Sequence, residues 1–119
     1  MMWLIVIGVA LLALALIYAF PPIQICGDSM MPNFYDGDIV VGCRLLRKSV
    51  LGKVYIYTPP VGEHDIVIKR LTFINSTTGK LFFEGDNKDH SFDSRDYGYV
   101  TKDKIIARYL FTIYKKKGV

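Results

Sequence analysis

The sequence predicts a mainly β protein, with a small antiparallel domain behind one membrane-spanning helix at the amino terminus. Two observations predict this fold class: a long uncharged run at residues 2–20, and later short runs rich in Val, Ile, Tyr and Phe that turn residues separate. Runs of this second kind are typical of strands joined by turns. Since about 100 residues form one domain only, we expect an anchor over 1–20 and one domain over 21–119.

The amino-terminal run is long enough for a membrane helix. It holds 19 apolar or aromatic residues without a charge, and about 20 such residues cross a hydrocarbon layer about 30 Å thick. Pro21 and Pro22 then end the helix. A cleaved signal peptide is the alternative, but it has a basic segment before a core of roughly 7 to 15 apolar residues. No Lys or Arg precedes this run, so we expect a retained single-pass anchor in the cell membrane.

Charge gives a mixed indication of the side on which the domain lies. All 15 Lys and Arg residues follow the helix, and positive charge normally stays on the cytoplasmic side. Residues 21–42, however, contain three Asp and no Lys or Arg. Because the flank nearest the membrane carries no retention signal, export of the domain stays open on this evidence alone.

The rest of the chain predicts five strands and no second helix. We expect the strands at 38–45, 53–58, 65–74, 80–84 and 104–114. Their connections at 59–62, 75–79 and 85–98 are rich in Pro, Gly, Asn, Asp and Ser, which favour turns. Short connections favour antiparallel pairing, so the sequence predicts a small barrel-like or coiled antiparallel sheet. The triplet at 75–77 also matches a glycosylation acceptor, although a plain hairpin turn is the preferred interpretation.

Composition argues against several function classes. The net charge of +4 could suit anionic lipid or nucleic acid, but the surplus includes the tail lysines 115–117 and no nucleic-acid motif accompanies it. We interpret it as a solvated face and expect no nucleic-acid partner. Cys26 and Cys43 make no disulfide framework or metal spacing; they could pair after export, but we treat both as packing residues. No nucleotide, flavin or metal motif occurs, so we expect no cofactor and no metal.

A candidate nucleophile and a candidate base stand in separate stretches. Ser29 follows the anchor within GDSMMPNFYDGD, residues 27–38, and a serine hydroxyl needs a base to become a good nucleophile. Lys69 and Arg70 are adjacent in an apolar strand, so one of them must lie among apolar neighbours. Only lysine loses its proton on burial, which makes Lys69 the candidate base. From the strand pattern alone, a lysine that extends its amine to solvent is the preferred alternative.

Three separated blocks resemble, in order and content, the conserved boxes of type I signal peptidases, the bacterial Ser/Lys leader peptidases. They are SMMP at 29–32, IKR at 68–70, and a polar block at 85–98 that begins GDN and contains SFDSR. Residues 36–41 resemble the strand after the serine box. The resemblance implies that Ser29 is the nucleophile and Lys69 the general base. It also implies that Ser91 bonds the lysine, and that Asp93 and Arg95 form a supporting ion pair. Positions that line shallow substrate pockets match Ile25, Met30, Phe34 and Ile68.

The function implied by this resemblance is a membrane-bound serine endopeptidase that removes signal peptides from exported precursors through an acyl-enzyme. Its partners would be those precursors and the lipid bilayer, with the catalytic domain on the extracytoplasmic side; the oligomeric state stays open. The chain departs from the family pattern at Gly27, where many relatives carry an oxyanion-stabilising hydroxyl, and at Asn33, where threonine is usual. Only 15 residues separate Lys69 from Gly85, so a minimal catalytic core is expected.

The sequence leaves two other functions open. A self-cleaving repressor-type protease has similar Ser/Lys chemistry but is cytosolic, which the anchor argues against. A catalytically inactive membrane-tethered β-domain is the non-enzymatic alternative. The endoplasmic-reticulum branch of the family uses histidine in place of lysine, but that position is Lys69 here. His64 and His90 are therefore interpreted as turn residues.

Overall fold

The computed structural model describes residues 1–62 and 65–116, so His64 and Lys117 lie outside the described residues. A long helix α1 (Met2–Ala19) is followed by six strands and a one-turn helix. The strands are β1 (Pro22–Gln24), β2 (Ile39–Cys43), β3 (Val54–Tyr57), β4 (Val67–Ile74), β5 (Leu81–Glu84) and β6 (Ile105–Tyr114). The short helix α2 (Ser94–Tyr97) and two 3-10 turns, Lys88–His90 and Lys102–Lys104, lie between β5 and β6.

Helix α1 contributes nothing to the domain core. None of its residues is buried, and by length and composition it is the one helix in the described residues that could cross a membrane. Arg44, after β2, holds its carboxyl-terminal end: the Arg44 backbone N–H donates to Ala19 O at 2.9 Å, and Nε donates to Tyr18 O at 2.7 Å. These bonds satisfy carbonyls that a helix end leaves free, and the cation suits the negative end of the helix dipole.

The six strands form one antiparallel sheet in the order β1-β2-β6-β3-β4-β5. The mainly β prediction is confirmed, and each of the five predicted strands is present with slightly shorter bounds. Within the described residues the sheet stays open, with β1 and β5 at its edges, so a coiled sheet is the correct alternative and a closed barrel is not. The sequence prediction missed β1, which begins at Pro22, and α2.

Two apolar clusters fill the domain. The larger one packs strands β3, β4 and β5 against the β5–β6 connection and contains Tyr55, Tyr57, Leu71, Leu81, Phe83, Val100 and Ile105. The smaller one lies under the loop between β1 and β2 and contains Ile25, Met30, Phe34, Val40 and Val54. The loop that carries Ser29 is therefore packed onto the sheet by its own apolar residues.

The two cysteines differ in environment. Cys43 is buried in β2, which confirms its prediction as a packing residue. Cys26 is exposed, so the same prediction is wrong for it. The reason is local: Cys26 follows the buried Ile25 in an extended stretch, where neighbouring side chains point to opposite sides. Both thiols are free.

Candidate active site

The structure brings Ser29 and Lys69 together. Ser29 lies in the turn after β1, and Lys69 projects from the middle of β4; Lys69 Nζ lies 2.6 Å from Ser29 Oγ. The lysine is buried at 5% exposure, while the serine is half-buried. The cation that the strand pattern places among apolar neighbours is thus Lys69, and its amine ends at a hydroxyl rather than in solvent.

Backbone contacts fix the position of Ser29. The Asn87 backbone N–H donates to Ser29 O at 2.8 Å, and Asn87 Nδ2 donates to Asp28 O at 3.0 Å. Gly85 allows this approach, because a Cβ there would lie 2.6 Å from Ser29 O. On the other side, Gly27 adopts a φ of 87° and its N–H donates to Asp36 Oδ1 at 2.7 Å. The serine turn is therefore held from both ends.

The pKa of Lys69 is lowered from its ordinary value. Burial of the amine is the main cause, since desolvation disfavours the ammonium form. The negative charge of Asp93 opposes this effect, Arg95 adds to it, and the charge of Asp28 opposes it. Because the lowering effects prevail, a larger share of Lys69 is neutral at a given pH than for a lysine in water. A neutral amine can accept a proton from the adjacent hydroxyl.

Ser91, Asp93 and Arg95 form a compact network beside the lysine. Asp93 is fully buried and accepts hydrogen bonds from Ser91 Oγ at 2.6 Å, from Gly85 N at 2.8 Å and from Arg95 Nε at 3.0 Å. Burial raises the pKa of this carboxyl, but the hydrogen bonds lower the pKa by a larger amount, and the net value is about 2. Ser91 donates to Asp93, and the described residues show no hydrogen bond between Ser91 and Lys69.

Asp93 also begins helix α2. Its side chain accepts from the Arg95 backbone N–H at 3.1 Å, and the Asp96 side chain accepts from the Asp93 backbone N–H at 3.0 Å, which completes a capping box. The one-turn helix is therefore organised by the same carboxylate that bonds Ser91.

A groove of about 620 Å³ opens beside the Ser29–Lys69 pair. Ile25 and Ile68 line it, whereas Met30 and Phe34 are buried in the smaller core cluster beneath the serine turn. Val61, Ile66 and Phe92 add exposed apolar side chains to its walls. His90 also lines the groove, but Ser29 hydrogen-bonds to Lys69 and not to His90. The pair therefore faces a groove whose walls are largely apolar.

Two comparisons with known proteins show what this chain is similar to. The family described as "Signal peptidase, peptidase S26" matches residues 72–114. The mitochondrial inner membrane protease subunit 1 of Schizosaccharomyces pombe is 31% identical over 117 residues, covering 76% of this chain and 74% of that protein. The chain belongs to the S26 signal peptidase family. This confirms the family that the three sequence blocks indicate and supports a function of the signal peptidase kind.

In this S26 family member, the matched segment begins three residues after Lys69 and includes Ser91, Asp93 and Arg95. Ser29 and Lys69 both precede it. Their pairing is therefore seen in the structure and does not depend on the matched segment. The described residues contain no group of three or more His, Cys, Asp or Glu side chains that could hold a metal ion.

Sequence reasoning missed a second ion pair, which joins β4 to the segment after β5 and to which Asn33 of the β1–β2 loop also bonds. Arg70 Nε and Nη2 donate to the two carboxylate oxygens of Asp86, each at 2.8 Å, and Asn33 Nδ2 donates to the same carboxylate at 2.8 Å. At the sequence level Arg70 is notable only as a cation that does not lose its proton. The signal available was alternation along the strand, which places Arg70 on the face opposite Lys69, where it needs an acidic partner.

The sequence indicates that the tail lysines are part of a solvated face; Lys115 is exposed, but it also makes specific contacts. Lys115 Nζ lies 2.7 Å from the carboxylate of the fully buried Asp38 and 2.9 Å from Asn33 O. The Tyr35 backbone N–H donates to the same carboxylate at 2.9 Å. The residue after β6 thus contacts the loop between β1 and β2, which carries Ser29. A buried Asp required such a partner, but sequence spacing did not identify it.

Proposed function

We propose that this protein is a membrane-anchored serine endopeptidase that removes signal peptides from exported precursors, with Ser29 as nucleophile and Lys69 as general base. The observation that carries the proposal is the 2.6 Å separation of Lys69 Nζ and Ser29 Oγ in a member of the S26 family. Burial lowers the pKa of this lysine, which is the property that a lysine base needs near neutral pH.

The reaction would proceed in two steps. Neutral Lys69 accepts the proton of Ser29 Oγ while the oxygen attacks the carbonyl carbon of the scissile peptide bond. When the carbon–nitrogen bond breaks, the lysine ammonium returns that proton to the leaving amine, and the precursor's signal segment remains as an ester on Ser29. A water molecule then attacks the ester carbonyl with Lys69 again as base. The signal segment leaves as a carboxylic acid, and both side chains return to their starting state.

The oxyanion formed in each step needs hydrogen-bond donors. Gly27 supplies no hydroxyl there, so we propose that the backbone N–H of Ser29 stabilises the charge. That group donates to no protein acceptor in the described part of the chain. One lost oxyanion donor typically costs about 2.7 to 4 kcal/mol of transition-state stabilisation. The chemistry proposed here therefore relies on backbone donors alone.

The groove would bind the precursor in an extended conformation. Ile25 and Ile68 line it next to the dyad, where they would contact the small side chains that precede the cleaved bond. Met30 and Phe34 would act from beneath, because they pack the serine turn against the sheet. Ser91, Asp93 and Arg95 would support the lysine through their network. With α1 in the membrane, the domain would lie on the extracytoplasmic side, where precursors emerge.

Cleavage of a precursor with an Ala-x-Ala site tests the dyad in detergent. Ser29→Ala and Lys69→Ala should each reduce cleavage to the uncatalysed background, because the two groups act as a unit. Ser76→Ala and Lys80→Ala are matched controls, since both residues are exposed at the β4–β5 turn, and they should leave the rate unchanged. Wild-type activity in either dyad variant would contradict the proposal.

Covalent labelling separates this proposal from the inactive tethered domain. A serine-directed acylating inhibitor should modify Ser29 of the folded protein at alkaline pH, and Lys69→Ala should abolish the modification. An unlabelled Ser29 in the wild-type protein would favour the non-enzymatic alternative. A purified protein that cuts itself internally would favour the repressor-type protease instead.

A further inference from the structure

The loop that connects β2 to β3, residues 44–53, combines exposed aliphatic side chains with positive charge. We infer that this loop, called here the basic–apolar loop, docks on a bilayer surface that contains anionic lipid. Its aliphatic residues would enter the headgroup boundary and its basic residues would contact the phosphates. The inference rests on the membrane anchoring proposed for α1 but is independent of the proposed chemistry.

Its position at the membrane follows from Arg44. The Arg44 backbone and side chain bond Ala19 and Tyr18 at the last turn of α1, and the guanidinium lies 4.6 Å from the centre of the Tyr18 ring. Tyrosine near a helix end is typical of the membrane interface. Since Leu45 is the next residue, the loop begins where the chain leaves the bilayer.

The loop exposes apolar side chains that the fold leaves without cover. Leu45 is 77% exposed and Leu51 is 58% exposed, with Leu46 and Val50 less so. Four exposed aliphatic residues within seven positions form a patch of the kind that marks an interaction site. Ile25 and Phe34, in the segment that follows the anchor, are buried and add no exposed apolar surface there.

Charge selects the partner. Arg47, Lys48 and Lys53 are exposed within the loop, and the sequence has no Asp or Glu between Asp38 and Glu63. Basic residues beside a membrane helix are attracted to anionic headgroups, whereas a purely apolar protein surface would gain nothing from them. An anionic bilayer matches both the apolar and the charged side chains.

The loop is held in its outward shape by the core. The hydroxyl of the buried Tyr55 donates to Lys48 O at 2.6 Å and accepts from the Val50 N–H at 2.9 Å. Gly52 N donates to Leu71 O at 2.8 Å and Gly52 O accepts from Arg70 Nη1 at 2.7 Å. Because the backbone is fixed at both positions, docking would cost little ordering entropy.

Tryptophan quenching in vesicles tests the inference on the full chain. Trp3 is the only tryptophan, so Leu45→Trp in a Trp3→Phe background gives a single reporter in the loop. Phe92→Trp in the same background is the matched control: Phe92 is 55% exposed and lies beside Gly62 in the β3–β4 turn, at the end of β3 opposite the loop. Lipids brominated on their acyl chains should quench the indole at position 45 severalfold more than the one at position 92.

Two further measurements complete the test: one varies the lipid charge, and the other uses the quenching of Trp3 to report on the anchor. In vesicles with phosphatidylglycerol, Arg47→Gln with Lys48→Gln should lower the docked-to-undocked ratio about fivefold for each cation removed. In phosphatidylcholine alone the same pair should have no effect. Equal quenching at positions 45 and 92, or none at 45 while native Trp3 is quenched in the unsubstituted chain, would overturn the inference and leave the proposed protease intact. Unquenched Trp3 would overturn the anchor and the inference together.

Discussion

Lys69 sits between two opposing influences, and their balance sets the pH at which it can act as a base. Burial lowers its pKa, while the carboxylates of Asp93 and Asp28 raise it. Asp93 is fully buried and holds three other groups, so its substitution would disturb more than charge. Asp28 is exposed. The effect of charge on the lysine can therefore be isolated at Asp28.

The pH profile of cleavage is the first prediction at this scale. Activity should rise with pH as Lys69 loses its proton, along a limb that lies below the ordinary lysine pKa of 10.5. Asp28→Asn removes a charge that stabilises the ammonium, so this limb should move to lower pH. Asp103→Asn removes the same charge from an exposed turn and should leave the limb in place. A shift of the Asp28→Asn limb to higher pH would contradict this account.

Acid stability depends on Asp93. Its pKa falls from 3.8 to about 2 on folding, so its contribution to stability is fully present above about pH 4 and is lost as the pH falls through 2. The contribution is about 2 kcal/mol. Urea unfolding of the detergent-solubilised protein between pH 7 and pH 2 should show this loss. Asp93→Asn should be less stable at neutral pH and lose less on acidification, whereas Asp89→Asn, at an exposed site, should follow the wild type.

At the scale of elements, the polar block after β5 bonds to two other segments, the turn that carries Ser29 and strand β4. Its first residues hold the Ser29 backbone through Asn87 and hold β4 through the Asp86–Arg70 pair. Asn33 joins the serine turn to that same pair. The relative position of Ser29 and Lys69 therefore also depends on contacts made by the Ser29 backbone and by Arg70, the neighbour of Lys69.

A substitution at Asp86 tests whether the Asp86–Arg70 pair positions Ser29 and Lys69. Asp86→Asn leaves Arg70 without its carboxylate and should destabilise the protein by about 1 to 3 kcal/mol. If the pair positions the dyad, kcat should fall at least tenfold at temperatures where the variant is still folded, with KM little changed. Kinetics with a peptide substrate, compared with circular dichroism melting, separates the two effects. A variant that loses stability but keeps the wild-type kcat would reduce the pair to a structural role.

The elements that the sequence predicted correctly are those with a strong local pattern. Five strands carry runs of Val, Ile, Tyr and Phe, and α1 carries an unbroken apolar run. Strand β1 has three residues and starts with Pro22, which indicates only the end of a helix. Helix α2 depends on the Asp93 capping box within a run of turn-forming residues. Strand β1 exists because it pairs with β2, whereas the capping box of α2 is local but has the same residue types as the turns around it.

For the whole molecule, strand identity was predictable but strand order was not. Strand β6, last in the chain, lies between β2 and β3. No local feature of the sequence indicates which strands pair with it. The same limit applies to the site. Burial of one cation on β4 was deducible from alternation, whereas the contacts of Asn87, Asp86 and Lys115 with the serine turn required the coordinates. Long-range pairing is set by the packing of the whole sheet.

The separation of anchor and domain gives a prediction for the molecule as a whole. No residue of α1 is buried, and both apolar clusters lie within residues 25–105. A protein that lacks residues 1–20 should therefore fold, with a melting temperature within a few degrees of the full chain. Its cleavage of a soluble peptide should be unchanged. Its cleavage of a precursor inserted in vesicles should fall at least tenfold, because enzyme and substrate no longer share a surface.

Comparing the two substrates separates a role of α1 in folding from a role in bringing the site to its substrate. Equal loss on both would mean that α1 supports the fold of the site, contrary to its lack of buried residues. Equal retention on both would mean that the anchor does not deliver the site to its substrate. Only a loss confined to the inserted precursor fits a helix whose hydrogen bonds to the domain, within the described residues, come from Arg44. In that arrangement the domain holds the chemistry and the helix determines where it is used.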